Sequence, residues 1–244
     1  MIERREQING IEVEARFSER AVNEIFLPML NGLRKMQKAR GRRILVMLAA
    51  PPGAGKSTLL SFLKELSEGS IQTIGMDGFH RRQEYLKSHY VDVDGKSVSM
   101  VEIKGAPITF ELEKLRESIR RIAAGERCGW PVYDRMLHNP VEDAVTVDGD
   151  IVLLEGNYLL LDLDSWRELR QYADYTISVR ADESMLRRRL IDRRMKTGVD
   201  EAASVRFVDF SDMPNVRLCL EKMMPADLQL MIDSEGDYRN ADCE

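Results

Sequence analysis

The sequence is short of several things. Its three cysteines, Cys128, Cys219 and Cys243, lie far apart without a C-x-x-C pair, and its three histidines, His80, His89 and His138, are equally scattered. That excludes a disulfide framework and a readable zinc site, and suits thiols kept reduced in the cytosol. There is no basic excess: 36 Lys and Arg stand against 41 Asp and Glu, a formal charge of -5. Nothing in that balance supplies the field that drives counterion release on a polynucleotide. No apolar run approaches the roughly 20 residues that span a bilayer. The opening "MIERREQING" carries charge without the apolar stretch of a secretory leader. Internal repeats, low-complexity tracts and linkers are also missing. These absences predict a cytoplasmic protein with neither nucleic acid nor membrane as partner, and they are compatible with a homodimer.

What is present is a 244-residue chain, 43% apolar, enough for one α/β domain with an extension. Val22, Phe26, Leu30, Leu33 and Met36 recur at the spacing of one buried helix face and predict a helical extension over residues 1–40, ahead of a main domain over 41–244. "RILVMLAA" reads as a buried strand and "KSTLLSFLKELSE" as the helix after it. "IQTIGMDGF", "IVLLEGN", "YTISVR" and "DLQLMID" are further strands, with helices at 109–124 and 182–197 between them. Such alternation predicts a parallel sheet covered on both faces, with chemistry at the carboxyl ends of its strands. The mixed-polarity stretch 86–108 is expected to be a long loop or a small excursion over the site.

The chemistry begins at "LAAPPGAGKSTLL". Gly55, Lys56 and Ser57 fit the phosphate-binding pattern G-x-x-x-x-G-K-[ST], but Ala50 occupies the place of the first glycine. Ala50 is tolerable if its φ is negative. The NH groups of Gly53, Ala54, Gly55, Lys56, Ser57 and Thr58 would then cradle a polyphosphate at a helix N-terminus, while Pro51 and Pro52 stiffen the bend before the donors. Lys56 would reach the β/γ phosphates and Ser57 would ligate Mg²⁺. The competing reading is a glycine turn with a solvated lysine; the strand before the loop and the helix after it argue against that.

Asp77 and Glu155 each end an apolar strand, so a parallel sheet would set both beside the loop. Asp77 is assigned to the proton of an acceptor hydroxyl and Glu155 to the magnesium side. Alone, each would read equally well as a turn residue. "WPVYDRMLHNP" gathers Tyr133, Asp134, Arg135 and His138, groups suited to a hydroxylated small molecule; His80 and Asn157 complete the candidate acceptor pocket. In "LRRRLIDRR", Arg189 and Arg193 are four apart and share a helix face, as lid arginines over the transferred phosphate or as a solvated charge run.

The order of "PPGAGKST", "MDGFH", "GAPITF", "PVYDRMLH", "IVLLEGNYLLLD" and the arginine helix resembles the phosphoribulokinase/uridine kinase family, which includes bacterial pantothenate kinase, over about residues 44–235. "VLLEGNYLLLD" followed by Trp166, and "SDMPNVRL" near the end, are similar to its bacterial branch of nucleoside/nucleotide kinase-like and fructose-transport-system kinases. The resemblance implies a three-layer α/β/α P-loop NTPase fold with a mostly parallel sheet, ATP and Mg²⁺ as cofactors, and Asp77 acting on the acceptor hydroxyl. Tyr133 and His138 keep the spacing of a uridine kinase nucleoside pocket, whereas Arg135 and the order Asp192–Arg193 depart from that pattern. Asn215 resembles a branch feature, with a helix cap as its one physical role.

Together these features describe a kinase that phosphorylates a hydroxyl of a small metabolite, sugar-like first and nucleoside-like second. A P-loop ATPase or GTPase switch is the alternative, although no N-K-x-D motif is present and "DVDG" at 92–95 matches D-x-x-G only loosely. A binding module without turnover would not need Lys56, Ser57, Asp77 and Glu155 together.

Overall fold

A computed structural model describes residues 2–8 and 11–241, and they begin with an antiparallel hairpin, β1 (Ile2–Ile8) and β2 (Ile11–Phe17). The expected helical extension is therefore strand over its first part. The alternation of "IEVEARF" explains it: Ala15 and Phe17 turn inward, and the Phe17 ring stacks at 3.9 Å on Phe62 of the helix Lys56–Leu66, which follows the phosphate-binding loop. The predicted helix follows from Glu19 to Arg40, capped by the Ser18 hydroxyl and ended by left-handed Gly41. It widens into a π turn at Val22–Phe26, just before Pro28, where an ordinary helical turn would lack a donor.

Alternation along β3 (Ile44–Ala49) sets the layers. Ile44, Val46 and Leu48 join the core on one face of the sheet, and Leu45, Met47 and Ala49 join the core on the other; all six are fully buried. β4 (Gln72–Gly75), β5 (Tyr90–Val93), β6 (Lys96–Ser99), β7 (Cys128–Asp134), β8 (Asn139–Val147), β9 (Ile151–Gly156), β10 (Tyr175–Ala181), β11 (Leu228–Ile232) and β12 (Tyr238–Asn240) complete the described strands. The central sheet runs β12-β11-β10-β3-β9-β4, parallel from β11 to β4, with β12 antiparallel at the edge. Its direction of winding reverses at β3, so the crevice a ligand uses opens at the carboxyl end of that strand.

Residues 83–147 form an excursion between β4 and β9, and its longer helix, Leu112–Ala123, covers the face of the sheet that Leu45 and Met47 present. The helix Gln83–Ser88 leads into the β5–β6 hairpin, so the excursion expected at 86–108 has strand structure of its own. The helix Leu112–Ala123 leads into the β7–β8 hairpin. Gly78 allows that hairpin to approach: a Cβ there would lie 2.0 Å from the Pro131 carbonyl oxygen. Among the described residues no helix is long and apolar enough to cross a membrane.

Candidate active site

The loop leaves β3 and enters the helix Lys56–Leu66 through two left-handed glycines, Gly53 (φ 83°) and Gly55 (φ 81°). Their freedom serves different ends. A Cβ on Gly53 would meet the Leu186 carbonyl oxygen at 3.0 Å and Leu190 Cγ at 3.1 Å, so this glycine lets the arginine helix, Glu183–Met195, close on the loop. Gly55 faces open space. Ala50 has no positive φ and lies buried at the strand's end, its NH 3.4 Å from the Gly156 carbonyl; the pattern's first glycine is not required here. Buried Ala54 and Thr58 anchor the loop and the helix start; Gly55 and Ser57 are exposed, and Gly53 and Lys56 are half-buried. Lys56 folds back across the loop, its Nζ donating to the Ala50 and Pro51 carbonyls at 3.1 and 3.2 Å.

Register brings the acids to that lysine. Glu155 pairs with Leu48 of β3 on one side and with Gly75 of β4 on the other, and Asp77 follows in the turn Met76–Phe79. In β9, Ile151 and Leu153 join the core under the loop helix, and Glu155 continues their face into the crevice. Desolvation on the crevice floor lowers the Lys56 pKa, against the pull of Glu155 and then Asp77. Desolvation raises the Glu155 pKa, with the Lys56 ammonium opposing it. Asp77 stays half-exposed, with Arg135 Nη2 at 3.9 Å from its Oδ2.

These oxygens fit a magnesium ion. The Ser57 hydroxyl lies beside the Glu155 carboxylate and, after Lys56, opposes the rise in its pKa, an all-oxygen hydroxyl and carboxylate pair next to the loop. No group of three His, Cys, Asp or Glu side chains among the described residues could hold a metal alone. Mg²⁺ suits such a sparse set because it keeps waters and shares phosphate oxygens.

The two lid arginines separate. Arg193 keeps solvent-exposed surface at the mouth of the cleft, with Asp212, Arg135 and Asp77 as its charged neighbours. Arg189 turns toward the strand-to-strand turn before β12: a Cβ on Gly236 would lie 3.3 Å from its Nη2. Asp212 owes its position to a π turn, Val208–Asp212, ahead of Pro214, the counterpart of the turn before Pro28. Asn215 is not a cap. It is buried within the helix Met213–Lys222, and its Nδ2 donates to the Ser211 carbonyl at 2.9 Å.

On the acceptor side, Tyr133 and Arg135 face Asp77's surroundings, while His80 is packed between Phe110 and Tyr133 with Nδ1 hydrogen-bonded to the Asp77 carbonyl. Burial lowers its pKa, which leaves the ring neutral. Asp134 spends its carboxylate on the turn, accepting from the NH groups of Met136 and Leu137. His138 is the exposed left-handed residue of that turn (φ 51°). Asn157 follows Glu155 by two, its Oδ1 buried without a partner at the crevice. Lys104 belongs to this group although no motif marked it: it donates to Gln83 Oε1 at 3.0 Å and to the Tyr133 hydroxyl.

Comparison with known proteins bears on the family and the fold. The sequence model of the Phosphoribulokinase / Uridine kinase family matches residues 45–231. The chain is 37% identical over 237 residues to Escherichia coli K12 protein YggC, covering 95% of this chain and 96% of that one. It is 28% identical over 201 residues to the Schizosaccharomyces pombe protein named "Putative uridine kinase C227.14", with 78% and 83% covered. A solved structure from Silicibacter sp. TM1040, described as a "putative fructose transport system kinase", superposes with a TM-score of 0.75 at 28% identity, over 84% of this chain and 98% of that one. The chain belongs to the phosphoribulokinase/uridine kinase family and is a P-loop kinase acting on a small metabolite.

Proposed function

We propose that the protein transfers the γ-phosphoryl group of ATP to a hydroxyl of a sugar-like metabolite, with a nucleoside-like acceptor second in preference. The observation that carries this is the half-exposed Asp77 carboxylate, in one cleft with Lys56, Glu155 and Arg193 and bordered by the hydrogen-bonding groups of the β7–β8 hairpin. Tyr133 is the one predicted aromatic on that side, and His80 is buried behind it, which favours a polyol over a wide nucleobase.

The NH groups from Gly53 to Thr58 bind the polyphosphate, and Lys56 leaves its loop carbonyls for phosphate oxygens. Ser57 and Glu155 would hold Mg²⁺, which supplies neutralisation of charge between the β and γ phosphates. Asp77 accepts the proton of the acceptor hydroxyl as that oxygen bonds to phosphorus. The bond between the γ phosphorus and the bridging oxygen breaks, and its electron pair leaves with ADP. Arg193 meets the charge gathering on the phosphoryl oxygens.

Asp77→Asn preserves shape and removes the proton acceptor. Acceptor phosphorylation, followed as labelled product after screening sugars and nucleosides, should fall by about 10² to 10⁴ while Mg-ATP affinity by calorimetry changes far less. Near-normal transfer would remove Asp77 from the chemistry, whereas ATP hydrolysis that no screened acceptor stimulates in the unaltered protein would put the ATPase or switch reading in front.

A further inference from the structure

Lys104 is out of balance with its surroundings. Its ammonium is half-buried, and every hydrogen bond it makes goes to a neutral oxygen: Gln83 Oε1, the Tyr133 hydroxyl, and the His138 carbonyl at 3.5 Å. No carboxylate among the described residues pairs with it. The neighbouring cation, Arg135, has Asp77 at 3.9 Å as its ion-pair partner. On this side of the cleft Lys104 and Arg135 thus share one carboxylate, and that carboxylate has the acceptor hydroxyl to face. Desolvation first, then repulsion by Arg135, bring the Lys104 pKa down to about 8, with Asp77 offsetting part of it.

A half-buried ammonium tied to neutral oxygens and repelled by a second cation is suited to an anion that arrives from outside. Location says which anion. The charged groups near Lys104 are Arg135 and Asp77, whereas those near Lys56 are Glu155, Asp77 and Arg193. Lys104 therefore serves the acceptor side of Asp77 and not the polyphosphate side.

We propose that the acceptor is itself an anion, a small polyol bearing a carboxylate or phosphate group, and that Lys104 and Arg135 hold that group while Asp77 faces the hydroxyl. The proposal rests on the kinase reading above and narrows its substrate class. If Lys104 were only a tether between the excursion and the β7–β8 hairpin, through Gln83 and Tyr133, the acceptor's charge would not matter.

The test uses matched probes, gluconate against glucitol and ribose 5-phosphate against ribose, on the whole chain with Mg-ADP bound. Calorimetry should show binding of at least one anion and weaker binding of its neutral counterpart. Lys104→Gln should weaken the anion by roughly tenfold or more, with Lys104→Arg restoring most of the loss. Gluconate affinity should also fall about tenfold from pH 7 to pH 9 as Lys104 loses its proton. Of the groups around it, Asp77 and Arg135 flank the site, His80 is held neutral by burial, and desolvation raises the Tyr133 pKa out of that window. Equal binding of neutral and anionic members, unchanged anion binding in Lys104→Gln, or no binding of either anion would overturn the proposal. Should Lys104→Gln fail to fold, Arg135→Gln carries the same comparison. Replacing ADP by ATP separates the two readings: anion binding lost with Lys104 but without phosphorylated product keeps the anion site and sinks the kinase, whereas phosphorylation of the neutral members alone keeps the kinase and sinks the anion site.

Discussion

The two walls of the cleft are built on different principles. The nucleotide wall is local: Gly53, Gly55, Lys56 and Ser57 are consecutive or nearly so, and the strand before them and the helix after them fix where their donors point. The acceptor wall is assembled from a distance. Lys104 meets Gln83 and Tyr133 across 21 and 29 positions, and the hairpin that carries Tyr133 reaches Asp77 because Gly78 leaves room for Pro131. A wall made by one turn of chain is hard to alter without losing phosphate binding. A wall of separately supplied side chains can change its ligand one residue at a time, which is how one fold serves different acceptors.

The largest expected effect tests the local wall. Lys56→Ala removes the one loop ammonium on the crevice floor; turnover should fall by about 10³ or more, and Mg-ATP affinity should weaken by roughly 10- to 100-fold. The thermal unfolding midpoint should barely move, since Lys56 bonds to loop carbonyls and not into the core. Calorimetry showing unchanged ATP affinity in the folded variant would mean that this wall does not bind phosphate.

A smaller effect separates the arginines. Arg193 lies among Arg135, Asp77 and Asp212, so Arg193→Ala should lower kcat by about 10² with little change in the KM for ATP. Arg189 is directed to the Gly236 turn, so Arg189→Ala should leave both kcat and the KM for ATP near normal. The steady-state parameters of both variants decide this. Equal losses of kcat would mean that the pair acts as one lid, as their shared helix face alone implies.

How much of this was legible differs between the walls for a physical reason. β3 and β9 announce themselves because both faces are buried and their apolar runs are continuous, and Glu155 is conspicuous as the first charge after such a run. The β1–β2 hairpin carries a faint signal because its alternation rests on charged residues and a few small or β-branched ones, on a strand with one packed face. Asp134 and His138 had the right chemistry for a pocket, but the turn between β7 and β8 uses the carboxylate of one and the left-handed backbone of the other. Lys104 had no signal at all. It sits in a segment of mixed polarity, and its meaning comes entirely from neighbours that folding supplies.

The smallest effect concerns the joint between the walls. Gly78 follows Asp77 directly, and a methyl group there would overlap the backbone of β7, with Pro131 C at 2.4 Å and Val132 N at 2.9 Å from the added carbon. Backbone cannot rotate away as a side-chain tip can, so in Gly78→Ala the β7–β8 hairpin must shift outward. Overpacking of this kind costs about 1–3 kcal/mol, which at roughly 2–4 °C per kcal/mol for a chain near this size is a measurable fall in the unfolding midpoint. The functional consequence should be one-sided. The loop from Gly53 to Thr58 touches neither Gly78 nor the hairpin in any hydrogen bond, so Mg-ATP affinity should hold, while Tyr133 and Arg135 move relative to Asp77 and the KM for the acceptor rises. Calorimetry with Mg-ATP beside acceptor kinetics on the same preparation reads both sides. Parallel losses of ATP and acceptor binding would show that the two walls are one cooperative unit after all, and that the difference between local and assembled construction does not reach function.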